Sequence, residues 1–141
     1  MNNYSNAMIL NGKNIGISKI ELNKSDLLIW DKSGKYCLEI YIYYNWKDIN
    51  SLKVGEKKNI DFNEYVLSEN NEPALIWPNK CNVEKIKDDV LYFHLEFNNL
   101  CESTDYMNKR KHFDAELNSL EVGVLIDYKD AKSGSTIYNF N

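Results

Sequence analysis

Tyr36-Cys37-Leu38-Glu39-Ile40-Tyr41-Ile42-Tyr43-Tyr44 and Val90-Leu91-Tyr92-Phe93-His94-Leu95-Glu96-Phe97 carry one pattern twice. In each, alternate positions are wholly apolar (Leu38, Ile40, Ile42; Leu91, Phe93, Leu95, Phe97), and the positions between them hold tyrosine, glutamate, cysteine and histidine. Successive side chains of a strand point to opposite faces, so a period of two marks a strand with one face in a core and the other in water. Residues 120–128 divide in the same way, with Leu120, Val122, Val124, Ile126 and Tyr128 on one side and Glu121, Gly123, Leu125 and Asp127 on the other.

Outward from these stretches, turn signals recur about every 8 to 14 residues, the rhythm of a β-sandwich or barrel. The expected fold is all-β: an antiparallel β-sandwich of about seven to nine strands with at most one or two short helical turns, a partly open β-barrel being the alternative. Residues 15–22 read as a first strand whose apolar phase slips between Ile17 and Ile20, which predicts a bulge at Ser18-Lys19. Residues 27–30 then enter a hairpin turn, Asp31-Lys32-Ser33-Gly34-Lys35, where Gly34 supplies a positive φ. Residues 45–51 form a polar connection with room for a helical turn. Two short extended pieces, 52–55 and 59–62, flank a turn at Gly55-Glu56-Lys57-Lys58. Residues 64–67 continue as a strand into a loop at 68–72, and the proline-bracketed segment Pro73-Ala74-Leu75-Ile76-Trp77-Pro78 is confined to a sheet edge. Residues 83–86 are a further strand. The polar segment 98–112 is long enough to be functional or to hold a turn of its own, capped by Thr104 with Tyr106 and Met107 inward. The chain ends with segments 113–117 and 120–128, then a turn at 130–134 and a last strand at 135–140.

The chain has 141 residues, enough for a single domain, 1–141, with one core that removes roughly 70% of the unfolded surface from water. Its composition is 43% apolar and 27% charged, with two prolines and six glycines, which excludes a disordered or linker-rich chain. Net charge is −4 and Arg110 is the sole arginine. Arginine grips phosphate bidentately and stacks on bases, and an acidic domain repels a polyanion, so nucleic acid is not the expected partner. The excess of Lys, Asn, Ile and Tyr is what an AT-rich genome produces by codon bias. No basic residue precedes Lys13 and the N-terminal apolar run is short, so neither a secretory signal nor a membrane span is expected and the cytoplasm is the expected compartment. Cys37, Cys81 and Cys101 are odd in number and widely spaced, which suits free thiols better than a disulfide framework, a single Cys81–Cys101 bridge being the alternative.

If the three patterned strands are neighbours, their outer sides combine Glu39, Tyr41, Tyr43, Tyr92, His94, Glu96, Glu121 and Asp127 into an acidic aromatic face. Tyrosine offers flat apolar area with a polar tip, which suits a sugar or a basic protein surface. A plain wet antiparallel face has the same look. Trp46, in the polar stretch after Tyr43-Tyr44-Asn45, joins the candidate contacts, whereas Trp30 and Trp77 are expected in the core.

Catalytic signals are weak. His94 with Glu39 or Glu96 is an acid/base pair only at permissive spacing, because same-face neighbours in a strand stand about 7 Å apart. Cys37 and His94, if neighbours across strands, would form a thiolate–imidazole pair without any helix N-terminus to favour the thiolate. His94, Cys101 and His112 lack a metal-binding spacing, Asp88-Asp89 is a lone turn pair, and no glycine-rich phosphate loop or nucleophile elbow is present. No cofactor is expected. The run Lys109-Arg110-Lys111-His112 reads as a solvated loop.

The expected function is therefore a non-enzymatic interaction protein of the bacterial cytosol, immunity-type or accessory, that binds a protein partner, a basic one being the expectation, through Glu39, Tyr41, Tyr43, Trp46, Tyr92, His94 and Glu96. The alternative is a small-ligand or carbohydrate-binding β-module. A hydrolase built on Cys37, or on His94 and Glu96, is the third reading.

Overall fold

The computed structural model describes residues 4–42, 49, 51–98 and 119–140. Their strands are β1 (Ala7–Leu10), β2 (Lys13–Asn14), β3 (Ile17–Leu22), β4 (Asp26–Asp31), β5 (Tyr36–Tyr41), β6 (Lys57–Asn59), β7 (Glu64–Glu69), β8 (Glu72–Ile76), β9 (Lys80–Lys87), β10 (Val90–Asn98), β11 (Ser119–Asp127) and β12 (Thr136–Asn139), with one short helix, α1 (Tyr128–Ser133). They form two antiparallel six-stranded sheets, one ordered β2-β1-β11-β10-β9-β6 and the other β12-β3-β4-β5-β7-β8. Neither sheet closes, so the fold is the expected β-sandwich. The twelve strands exceed the seven to nine read from the sequence because several are too short to show a period.

One apolar cluster holds the two sheets together. Leu91, Phe93, Leu95, Phe97, Leu120, Val122, Val124 and Ile126 face Leu27, Ile29, Leu38, Ile40, Tyr65 and Leu67, all within 2% exposure. Rings mesh across the gap, Tyr65 of β7 meeting Phe97 of β10 edge-on at 5.4 Å between centroids. Tyr36, Tyr65 and Tyr128 are buried, so part of the tyrosine content serves the core. Burial raises the Tyr65 phenol above its ordinary range.

Local chemistry explains the hairpins. Between β4 and β5 the buried Asp31 carboxylate accepts from Ser33 N (3.1 Å) and Tyr36 N (2.8 Å), while Gly34 sits at φ 77°. The β3–β4 register shifts between Ile17 and Lys19, at the expected bulge. Asn70 and Asn71, at φ 52° and 67°, join β7 to β8 in a two-residue turn. Asparagine tolerates this left-handed geometry, and two such residues match the strand twist. β8 is an edge strand, as its proline demands.

Several readings are corrected. Lys57-Lys58, read as a turn, lies in β6, a fully exposed edge strand paired to β9; the polar sequence hid it because no face is buried. β1, too short for a periodic signal, pairs with β11. Residues 128–133 form a helix where a turn was read, begun by Asp127, whose Oδ1 accepts from Lys129 N at 2.9 Å. Trp30 is not in the core: it stands on the outer face of β4 with the Lys19 ammonium 3.9 Å from its ring centroid. Trp77 is 57% exposed, beyond the end of β8. Readings that concern Tyr43, Trp46, Cys101, Thr104, Tyr106, Met107, the run 109–112 and residues 113–117 lie outside the described residues.

Candidate functional site

The outer face of the β10 sheet is a grid whose rows follow from strand register. One row runs Glu121, Glu96, Lys80; the next Gly123, His94, Asn82, Asn59; the third Leu125, Tyr92, Glu84, Lys57. Alternation in β10 and β11 places the expected Tyr92, His94, Glu96 and Glu121 together. It also brings in β9 and β6, whose Lys80 and Lys57 make the face less acidic than the two patterned strands alone suggest.

The chain's beginning crosses this grid. Asn6 Oδ1 accepts from Leu125 N at 2.7 Å, which fixes the approach. The Tyr4 ring then meets Tyr92 edge-on at 5.0 Å, and its hydroxyl donates to Glu84 Oε2. Such an edge-to-face pair adds about 0.5–1.5 kcal/mol beyond burial. Tyr92 in turn leans over Gly123, where a Cβ would meet its hydroxyl. Burial, with Glu121 and Tyr4 nearby, raises the Tyr92 phenol above its usual range, so it is a neutral hydroxyl at neutral pH.

Beside the tyrosine pair lies a cleft of about 250 Å³ lined by Tyr4, Lys57, Asn82, Glu84, Tyr92, His94 and Glu121. His94 Nε2 and Glu121 Oε1 are 2.8 Å apart. A carboxylate only accepts, so the imidazole donates from Nε2. Asn82 is 3% exposed. Its Nδ2 has no hydrogen-bond partner among the described residues.

Glu39 and Tyr41 are elsewhere. β5 pairs with β4 and β7 in the other sheet, so these two residues look out from the opposite side of the sandwich and the single face built from three neighbouring strands does not exist. There Tyr41 donates to Glu39 Oε1 at 2.7 Å. Burial and the neighbouring Asp26 carboxyl raise the Glu39 carboxyl despite that bond. Hydrogen bonding to Glu39 and burial raise Tyr41 in turn. Asp127 closes the outer side of β11, as expected, and its carboxylate also caps α1.

The same separation removes the Cys37–His94 pair, since Cys37 is on β5. Burial, reinforced by Glu39, pushes the Cys37 thiol up to about 12, the reverse of what a thiolate nucleophile needs. Cys37 and Cys81 are free, and burial holds Cys81 at about 11.

None of Tyr4, Lys57, Asn82 and Glu84 was among the site residues expected from the sequence. The Cys81/Val83 alternation, extended one residue each way, places Asn82 and Glu84 outward on a strand. Tyr4 has no local signal, because its place depends on the pairing of β1 with β11.

No family model and no curated protein matches this chain. No helix among the described residues is long and apolar enough to cross a membrane. The cleft offers hydrogen-bond acceptors, an amide donor, an imidazole and two aromatic edges, which equips it to hold a polar group with an apolar stem.

Proposed function

We propose that the protein is a non-enzymatic interaction protein, immunity-type or accessory, of a bacterial cytosol, and that it docks a protein partner on the outer face of the β10 sheet. The observation that carries this is the tyrosine pair: Tyr4 is drawn across the sheet onto Tyr92 to form an aromatic ridge beside a cleft that Glu84 and Glu121 border. Rigid aromatics beside carboxylates suit a projecting lysine or arginine, whose stem packs on the rings while its head meets the acids. The cytosolic and bacterial parts of the reading rest on composition and the free thiols. Glu39 and Tyr41 have no part in this face.

A second reading, a small-ligand or sugar module, draws on the buried Asn82 amide. At about 250 Å³ the cleft is below the roughly 300–1,000 Å³ of small-molecule sites, which favours an inserted side chain. The test is binding kinetics with a partner recovered from native cytosol. Affinity should fall with salt, and Tyr92→Ala should cost about 2 kcal/mol or more, the size of an aromatic anchor. A partner that binds Tyr92→Ala as tightly as wild type, or an acidic partner, sinks the reading.

A further inference from the structure

Glu96 and Glu121 stand directly opposite one another on β10 and β11, a placement in which like charges oppose strand pairing. Lys80, opposite Glu96 on β9, makes no ion pair with it among the described residues. His94 is two residues from Glu96 on the same face, with Nε2 2.8 Å from Glu121 Oε1. One donor atom from each of the three lies within 4.8 Å of the other two. A second observation is independent of the carboxylates. Asn82, the cross-strand partner of His94, is 3% exposed and lines the same cleft, and its Nδ2 has no acceptor among the described residues. A buried N–H without an acceptor is costly, so this amide points to a ligand atom that accepts.

We propose that His94 Nε2, Glu96 and Glu121 hold a divalent first-row transition cation, zinc being the type case, with a water as fourth ligand that accepts from Asn82 Nδ2. The donor set selects the class: one imidazole with two carboxylates suits zinc and its neighbours, whereas calcium and magnesium take oxygen alone. Zinc binds nitrogen and oxygen at about 2.0–2.2 Å. The His94–Glu121 contact therefore opens by a few tenths of an ångström and Glu96 swings in, both side-chain adjustments, since the Glu121 side chain is 47% exposed. The ring proton moves from Nε2 to Nδ1 by exchange with solvent, so that the neutral imidazole offers its Nε2 lone pair, and the charge of the cation removes the carboxylate repulsion. All three ligands sit on one hydrogen-bonded strand pair, so no backbone need move. The proposal does not rest on protein docking; a bound cation neutralises Glu121 and leaves Glu84 as the acid that the cleft offers a docking partner.

The test is isothermal titration of the metal-free, reduced full chain with zinc chloride, followed by cobalt(II) absorption. One equivalent should bind. His94→Ala and the isosteric Glu121→Gln should each weaken it at least about tenfold, while Glu39→Gln, on the opposite face, should bind as wild type. The cobalt spectrum should lack a thiolate charge-transfer band. An absence of binding, an affinity unchanged in His94→Ala and Glu121→Gln, or a sulfur-to-cobalt band that puts the ion on cysteine overturns the proposal.

Discussion

A methyl group built on Gly123 would lie 2.1 Å from the Tyr92 hydroxyl oxygen and 2.9 Å from its Cζ. Glycine is needed there for space, since its backbone is ordinary extended strand. The space lets Tyr92 lie flat enough to receive Tyr4. Gly123→Ala is therefore expected to cost about 1–3 kcal/mol, as overpacking does, and much less in a Tyr92→Ala background. Urea denaturation of both singles and the double checks this; strictly additive penalties would show that the two residues do not compete for the space. On the other face, Glu39 sets a pH dependence. Its folded carboxyl holds a proton more tightly than the unfolded one because it is partly buried beside Asp26. A raised carboxyl is a cost when ionised, so its contribution to stability improves as pH falls through the raised value towards the ordinary one. Glu39→Gln should match or exceed wild type at pH 7, with the difference shrinking on acidification; a variant less stable at pH 7 would contradict that sign.

Among elements, β10 was the most legible in the sequence. Leu91, Phe93, Leu95 and Phe97 are fully buried and the residues between them are not, because nine residues against a flat core leave period two undisturbed. Leu95→Ala should cost about 2–5 kcal/mol and Glu96→Ala less than about 0.5 in chemical denaturation; the reverse order would mean an inverted phase. β5, β11 and the bulge in β3 were legible for the same reason. β4 concealed its phase, since Leu27-Leu28-Ile29-Trp30 is apolar on both sides, and Trp30 was sent to the wrong one. β6 has no buried face to announce it. α1 depends on the Asp127 cap and Asp130 in its first turn, a local signal that a six-residue helix scarcely repeats.

At the scale of the molecule, pairing order was what the sequence withheld. Glu39 and Glu96 occupy equivalent places in equivalent patterns, yet one strand sits between β4 and β7 and the other between β9 and β11. Nothing in an alternating pattern says which sheet will take the strand, because both sheets bury apolar residues in the same core. Half of the candidate site, Tyr92, His94, Glu96 and Glu121, was therefore legible. The contributions of Tyr4, Asn82, Glu84 and Lys57 arise only once β9 and the N-terminal segment are placed. The two outer faces provide their own controls. Capture of the partner from native cytosol should be compared between a Glu96→Lys/Glu121→Lys double variant and a Glu39→Lys/Glu64→Lys double variant, Glu64 standing opposite Tyr41 on the outer side of β7, each confirmed folded by circular dichroism. The first should lose the partner and the second should retain it at the wild-type level. Retention by both, or loss confined to the Glu39/Glu64 variant, would contradict binding through the β10 face.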